Sequence, residues 1–174
     1  IVDSKVGLHE TEEARPIMRN VLLALEYLHG QNIIHRDVKP ENILFKRKGE
    51  PDSATLIDFG LSKPDKVAQS FVGTPSYLAP ELRPGKNTGK YTSKVDIFSA
   101  GVTMFAMLSS LLPFEPDEVT SCTPNHDLLF PEDAFGNISD AAKDLMNKML
   151  EADPLKRITA RDALDHEWFD ERTE

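Results

Sequence analysis

The stretch that decides the fold is His35-Arg36-Asp37-Val38-Lys39-Pro40-Glu41-Asn42, which places an aspartate, a lysine and an asparagine within six residues. Apolar residues flank it on both sides, Ile33-Ile34 before it and Ile43-Leu44-Phe45 after it. This pattern predicts a polar loop held between two buried segments. A simple polar turn capped by Asn42 is the alternative interpretation.

A second polar loop comes after a short apolar segment. The segment ends at Ile57 and runs into Asp58-Phe59-Gly60. The two loops can present Asp37, Lys39 and Asn42 to one point together with the aspartate of the second loop. Asparagine and aspartate supply the oxygen ligands of Mg²⁺, which otherwise keeps waters and substrate phosphates. An aspartate beside a lysine suits proton acceptance from a hydroxyl during phosphoryl transfer, so the residues predict metal-assisted phosphoryl transfer.

Three motifs occur in a fixed order along the chain: His35-Arg36-Asp37-Val38 with Asn42, then Asp58-Phe59-Gly60, then Ala79-Pro80-Glu81. Each alone is a weak signal, and the three in order resemble the signature set of protein kinases. The chain therefore resembles the C-terminal lobe of a eukaryotic protein kinase over nearly its whole length. Lys39, two positions after the aspartate, is typical of the serine/threonine class.

The segments 58–63 and 73–81 are similar to those of the calcium/calmodulin-dependent kinase group. The resemblance implies a mainly α fold, helical with a few short strands, in which residues 1–174 form the C-terminal lobe alone. Its expected landmarks are a catalytic loop at 35–42, an activation segment at 58–81 and a central helix at about 92–110.

The resemblance assigns the chemistry to three residues. Asp37 would accept or orient the proton of the substrate hydroxyl, and Lys39 would neutralise charge on the transferred phosphoryl group. Thr74 would position both through its hydroxyl, unless it belongs to a plain Thr-Pro turn.

The resemblance also implies ATP and Mg²⁺ as cofactors. Asn42 and Asp58 would hold Mg²⁺, and Ile43-Leu44-Phe45 would form the floor under the adenine, with Leu44 in contact with it. Glu41 is counted with the cofactor-site residues. It lies where related kinases contact a basic substrate side chain, although a solvated carboxylate fits the sequence equally well.

Five further residues are assigned supporting roles by the resemblance. His35 and Phe59 would pack the two loops together. Asp96 would hydrogen-bond the backbone of the catalytic loop, although a first-turn acid on a helix is the alternative. Glu81 and Arg157 would form the ion pair that ties the activation segment to the lower lobe, unless Arg157 is a surface charge.

Ser70 is a candidate regulatory phosphosite. It precedes Gly73-Thr74-Pro75 by the spacing at which related kinases carry an activating phosphate. Arg36 and Lys63 are cations that could pair with that phosphate and order the segment. An unmodified loop serine is the alternative.

Composition limits the remaining function classes. The chain has 174 residues, 40% hydrophobic and 28% charged, which is ordinary for a soluble domain. A net charge of −9 argues against nucleic-acid binding and favours basic partners such as basic peptides. The kinase resemblance implies protein substrates with serine or threonine. The uncharged run Ile97–Leu112 is too short and polar to predict a membrane span. One cysteine, Cys122, fits a reducing compartment, so we expect a cytoplasmic or nuclear location.

The first strong helical pattern starts after residue 10. Thr11 is the expected N-cap and Gly30 the expected C′ residue, and Pro16 favours a start nearer Arg15. Apolar residues spaced by three or four predict one buried stripe: Ile17, Val21, Leu25 and Leu28.

The rest of the chain gives a coarser pattern. Residues 43–45 and 54–57 are predicted strands, and 61–78 and 85–92 are predicted loops. Tyr91–Ser110 is apolar on nearly every face and predicts a core helix. Prolines interrupt 113–136, where kinases usually carry a further helix. A helix capped by Ser139 or Asp140 is expected to run to Leu150. A capping pair, Thr159 and Asp162, should open a last helix that carries Trp168 and Phe169.

Some kinase features are missing from these 174 residues. No two glycines stand two apart, only Lys5 precedes the catalytic loop, and 34 residues precede His35. The ATP-binding N-terminal lobe is therefore expected to lie outside this sequence, and a regulatory segment could follow Glu174. Two hypotheses remain: a piece of an active serine/threonine kinase, and a non-catalytic interaction module built on a kinase lobe.

Overall fold

A computed structural model describes residues 7–64, 74–82, 91–114 and 130–170 of the chain. Within these ranges the fold is mainly helical with two small antiparallel sheets, which confirms the predicted fold class. The α-helices are α1 (Arg15–Gly30), α2 (Lys94–Ser109), α3 (Glu132–Phe135), α4 (Asp140–Met149) and α5 (Ala160–Leu164). The strands are β1 (Ile33–Ile34), β2 (Ile43–Phe45), β3 (Ala54–Leu56) and β4 (Lys63–Pro64).

Helix α1 begins where proline permits it. Residues Glu10–Ala14 form a wider π-helical turn, and the regular helix starts at Arg15, because Pro16 has no N–H to donate. The N-cap of the turn is His9, whose side chain accepts from the Glu12 N–H, so the prediction of Thr11 was wrong. The predicted apolar stripe is buried as expected.

The C-terminal end of α1 differs by two residues from the prediction. Gly30 is the last helical residue and not the C′ residue, and Gln31 is the C-cap. The left-handed conformation falls instead on Asn32, with φ 56°. Asparagine tolerates this region better than most residues, so the polar Asn32 replaces glycine in reversing the chain into β1.

Helix α2 is the centre of the core, as its apolar sequence predicts. Fourteen of its residues are buried, from Val95 to Leu108. Gly101 allows a close approach of the chain after α4, because a Cβ there would lie 3.0 Å from Met149 and Leu150 side-chain atoms. The helix ends at Ser109, and its C-cap Ser110 adopts a left-handed φ of 60°.

The two sheets bracket the catalytic loop. Strands β2 and β3 are the two strands that the sequence predicted, and they pair with Leu44 opposite Thr55. Strands β1 and β4 also pair, with Ile34 opposite Lys63, and this pairing was missed because each strand has only two residues. The loop 35–42 therefore leaves one sheet and enters the other.

The C-terminal part consists of two capped helices, α4 and α5, followed by a short turn. Ser139 caps α4 and Thr159 caps α5, each accepting from the backbone N–H three residues on, which confirms both caps. Trp168 and Phe169 were predicted to belong to the last helix, but they lie outside α5. They lie in a separate 3₁₀ turn, Glu167–Phe169, capped by the His166 side chain.

The proline-rich segment 113–136 is only partly described. Residues 115–129 lie outside the described residues, so the expectation that prolines shorten or remove the usual kinase helix in this segment stays a prediction. The short helix α3 follows Pro131 and buries Phe135 against Phe105, with ring centroids 4.7 Å apart. None of the helices in the described ranges is long and apolar enough to cross a membrane.

Candidate active site

The catalytic loop is fixed at its start by one buried carboxylate. Asp96, in the first turn of α2, accepts from the backbone N–H groups of His35 at 2.9 Å and Arg36 at 2.8 Å. Its Oδ2 also lies 2.8 Å from Nε2 of His29. Arg36 has a left-handed φ of 74°, an unfavourable conformation for this residue type. The two backbone contacts hold the loop in this conformation immediately before Asp37, and His29 holds Asp96.

His35 joins the two polar loops by packing and hydrogen bonding. It is completely buried, its Nε2 donates to the Ile57 carbonyl at 3.1 Å, and its ring meets Phe59 edge-on at 5.1 Å. The Asp37 N–H also faces Nδ1 of His35 at 3.4 Å. These contacts match the packing role expected for His35 and Phe59.

Asp37 is the centre of a hydrogen-bond network. Its carboxylate lies 2.8 Å from the Lys39 ammonium, accepts from the Asn42 amide at 2.9 Å and accepts from the Thr74 hydroxyl at 3.3 Å. Lys39 also donates to the Thr74 hydroxyl at 2.9 Å. The structure thus brings together the three predicted catalytic residues.

The network keeps Asp37 ionised. Burial raises the pKa of the carboxyl group, but hydrogen bonds from Lys39 and Asn42, the charge of Lys39 and the Thr74 hydroxyl outweigh it, so the pKa lies below its ordinary value. An ionised carboxylate held in this way can accept or orient a hydroxyl proton.

The two predicted metal ligands lie on neighbouring loops. The Ile57 N–H donates to the Asn42 carbonyl at 2.9 Å, and Asp58 is the next residue along the chain. This hydrogen bond therefore joins the two loops at or next to the residues that were predicted to bind the metal. The Asn42 amide nitrogen is held by the carbonyl and carboxylate of Asp37, and no donor among the described residues occupies its side-chain oxygen. Asp58 is exposed, has a φ of 63° and accepts from the Gly60 N–H.

The predicted adenine floor is narrower than expected. Side chains alternate along β2, so Leu44 is 54% exposed while Ile43 is buried in the main core. Phe45 is half-buried and packs against the same core. Only Leu44 of the three therefore faces outward, and the prediction for Ile43 was wrong.

Glu41 lies on the side of the loop that faces the activation segment. It is exposed, and its charge, added to the effect of burial, raises the pKa of Tyr77 to about 12. Tyr77 belongs to the 3₁₀ turn Pro75–Tyr77 that comes after Thr74. The expected places of Glu41 in the cofactor site or beside a substrate side chain stay predictions.

Glu81 and Arg157 form a two-point ion pair. The Arg157 guanidinium donates to the Glu81 carboxylate at 2.7 and 2.9 Å, and it also donates to the Lys94 carbonyl at 2.8 Å and the Glu151 carbonyl at 2.8 Å. Its planar face lies 5.1 Å from the Phe98 ring centre. Arg157 is therefore buried and paired, and not a surface charge.

Arg36 is bound to its surroundings by its guanidinium. It is buried, and it donates to the Leu61 carbonyl and, at 3.0 Å, to the Tyr91 hydroxyl. Ser70 lies outside the described residues, so its pairing with Arg36 stays a prediction. The Lys63 side chain is likewise outside the described structure.

Sequence reasoning missed three supporting residues: His29, Tyr91 and Lys94. His29 contacts Asp96, Tyr91 contacts Arg36, and the Lys94 ammonium donates to the Arg157 carbonyl. Burial and the nearby Arg157 charge lower the pKa of Lys94. The sequence shows a histidine in the last turn of α1 and the polar residues Tyr91 and Lys94 at the start of the core helix. Neither feature indicates which residue each side chain contacts.

Comparison with known proteins agrees with the geometry. The family model for the protein kinase domain matches residues 2–169. Myosin light chain kinase A of Dictyostelium discoideum is 39% identical over 169 residues, covering 94% of this chain and 56% of that protein. Calcium-dependent protein kinase 1 of Arabidopsis thaliana is 41% identical over 167 residues, covering 92% of this chain and 27% of that protein.

A third relative, a putative ribosomal protein S6 kinase alpha-1 of Caenorhabditis elegans, is 35% identical over 178 residues, covering 97% of this chain and 23% of that protein. The chain thus spans between 23% and 56% of the length of these three relatives. The matched domain, the relatives and the helical lobe agree, and the chain belongs to the protein kinase domain family, with serine/threonine kinases of the calcium-dependent type among its relatives.

Proposed function

We propose that the chain is the catalytic lobe of a serine/threonine protein kinase that transfers the γ-phosphoryl group of ATP to serine or threonine hydroxyls of proteins. One observation carries the proposal: the Asp37 carboxylate is bonded at once by Lys39, Asn42 and Thr74. A scaffold needs no such convergence, whereas a residue that orients a hydroxyl needs a fixed, ionised carboxylate.

Within this proposal each residue has a separate task. Asp37 orients the substrate hydroxyl and accepts its proton, and its lowered pKa keeps it ionised at neutral pH. The Lys39 ammonium, 2.8 Å from Asp37, counters negative charge on the transferred group. Thr74 holds the two at a fixed separation through its single hydroxyl.

The donor set suits Mg²⁺ bound to ATP. The side-chain oxygens of Asn42 and Asp58 are hard ligands, and only two protein ligands leave room for water and phosphate oxygens. When bound, MgATP supplies the phosphoryl group, and Leu44 offers an outward apolar surface for the base. The chain's own part is to hold these oxygens beside Asp37.

Protein substrates with basic side chains fit the surface beside the site. Glu41 is exposed next to the turn that comes after Thr74, and the chain carries a net charge of −9. We assign the activity to a longer protein that contains this chain, since its relatives extend well beyond the matched region.

Kinetics of that longer protein test the proposal. Asp37→Asn should lower kcat for a peptide substrate by orders of magnitude while leaving the KM for MgATP nearly unchanged, because the side chain acts on the acceptor hydroxyl. Glu50→Gln, at an exposed site in the loop between β2 and β3, is the matched control and should leave kcat unchanged. Full turnover in Asp37→Asn would refute the catalytic role, and no turnover in the wild type would favour the non-catalytic interaction module.

A further inference from the structure

Two arginines one turn apart on α1 are stacked on aromatic rings. The Arg15 guanidinium carbon lies 5.8 Å from the Trp168 ring centre, and that of Arg19 lies 5.1 Å from the Phe169 ring centre. Arg19 also donates to the Phe169 carbonyl at 2.8 Å. Both aromatic rings are buried, so each offers its guanidinium group a fixed surface to rest on.

Neither arginine has an acidic partner among the residues that the structure describes. Six other lysines and arginines in those ranges pair with carboxylates, but Arg15 and Arg19 have none within 4.0 Å. The Nε of Arg15 is buried and has no hydrogen-bond partner in the described structure. Because this atom is enclosed by protein, an anion in the cavity would reach Arg15 through the terminal nitrogens of its guanidinium group.

The two arginines line one small cavity of about 280 Å³. The other lining residues are Thr11, Pro16, Asn20 and Asp52. The Asn20 amide is already used, donating to the Asp52 carbonyl at 2.7 Å, and the Asp52 carboxylate lies 3.3 Å from Arg47. The cavity is at the small end of the range for ligand pockets, which is room enough for a small anion such as phosphate.

We propose that this cavity is a phosphoryl-binding site, in which Arg15 and Arg19 bind the oxygens of inorganic phosphate or of a phosphate monoester. A guanidinium edge matches two phosphate oxygens, and the ring stacking pre-organises both edges. The site lies at the start of α1, whereas the catalytic loop comes after its end, so the two are separate. A bound anion would also tie α1 to the Glu167–Phe169 turn, because both arginines contact that turn.

Thermal unfolding of the 174-residue chain tests the site. Trp168 is the single tryptophan and provides a fluorescence signal beside Arg15. Sodium phosphate should raise the Tm in a saturable manner relative to sodium chloride of equal ionic strength. Arg15→Gln and Arg19→Gln should each weaken the apparent phosphate affinity at least about tenfold, the effect of losing one charge-assisted contact. Arg161→Gln, an exposed arginine on α5, is the matched control and should bind phosphate as the wild type does.

Two further arms complete the test. N-acetyl phosphoserine amide is tested in place of phosphate. A site for phosphate monoesters should bind this compound at least as tightly as phosphate, whereas a site for the free anion should bind only inorganic phosphate. Asp52→Asn removes the one carboxylate of the lining and should tighten binding, and it remains informative if an arginine variant fails to fold. Phosphate affinity unchanged in the arginine variants, or no saturable rise in Tm with either compound, would overturn the proposal and leave Arg15 as a stacking residue only.

Discussion

Arg157 donates two hydrogen bonds to the carboxylate of Glu81, at 2.7 and 2.9 Å, and all five of its N–H groups have acceptors. The side chain is completely buried. Because Arg157→Ala would leave Glu81 without its partner, we expect a loss of about 3–5 kcal/mol in the free energy of unfolding. Urea unfolding followed by Trp168 fluorescence measures this loss.

Two variants sharpen the Arg157 measurement. Arg157→Lys should recover little stability, because a lysine has three donors and cannot reproduce the planar fork. Arg161→Ala removes an exposed arginine that pairs with Glu26 at 3.1 Å, and it should cost less than about 1 kcal/mol. Equal losses of unfolding free energy for Arg157→Ala and Arg161→Ala would show that the buried pair stabilises the fold no more than an exposed pair does.

Asp96 should control the order of the catalytic loop. Asp96→Asn keeps the size of the side chain but replaces one acceptor oxygen by an NH₂ group that faces a backbone N–H of His35 or Arg36. We expect a loss of about 1–3 kcal/mol in unfolding free energy, the cost of an unsatisfied buried polar group. Amide hydrogen exchange of residues 35 and 36 should also accelerate. Asp165→Asn, at an exposed carboxylate after α5, is the control, and protection of both amides equal to the wild type would contradict this role.

The ionisation of Asp37 predicts a pH dependence of stability. Its folded-state pKa lies below the ordinary value of about 3.9, so as pH falls the unfolded chain takes up the proton first. The contribution of the ionised Asp37 carboxylate to the free energy of unfolding is therefore complete at neutral pH. It is lost as pH falls below about 4 through the folded-state pKa. Unfolding free energies at about pH 7 and about pH 3 should differ more for the wild type than for Asp37→Asn. The same difference in both proteins would show that the network does not favour the carboxylate.

The sequence predicted elements whose pattern is strong and local. The stripe on α1, the all-round apolar α2, and the caps Ser139 and Thr159 can be inferred from spacing alone, and the structure contains them. The misplaced ends have a local cause. His9 caps the first turn in place of Thr11 because its ring nitrogen can also accept a backbone N–H. Asn32 reverses the chain in place of Gly30 because asparagine also tolerates a left-handed φ.

The site was predictable in its residues but not in its contacts. Motif order identified Asp37, Asn42 and Asp58, whereas the bond from His29 to Asp96 joins residues 67 positions apart and leaves no periodic signal. The same limit applies to strand pairing: two-residue strands such as β1 and β4 carry too few side chains to show alternation. Long-range polar contacts of this kind depend on the assembled core.

The 174-residue chain on its own provides the last prediction. We expect it to fold, because α2 and its neighbours give the lobe its own core. Leu44 and Phe59 are 54% and 51% exposed, and they should form an apolar patch that favours self-association. Analytical ultracentrifugation over a concentration series measures that association, and Leu44→Ser should reduce it.

MgATP should not bind this chain measurably. The sequence has no glycine pair of the nucleotide-loop type and one lysine before the catalytic loop, so in this chain the phosphates would meet only Lys39 and Mg²⁺ on Asn42 and Asp58. Two protein ligands hold Mg²⁺ weakly, because it dehydrates reluctantly. Each charged contact is worth about 1.5–3 kcal/mol, so the loss of two or three turns a micromolar ligand into a millimolar one. Calorimetry with MgATP decides: a dissociation constant in the low micromolar range would show that this lobe binds the nucleotide without a second lobe.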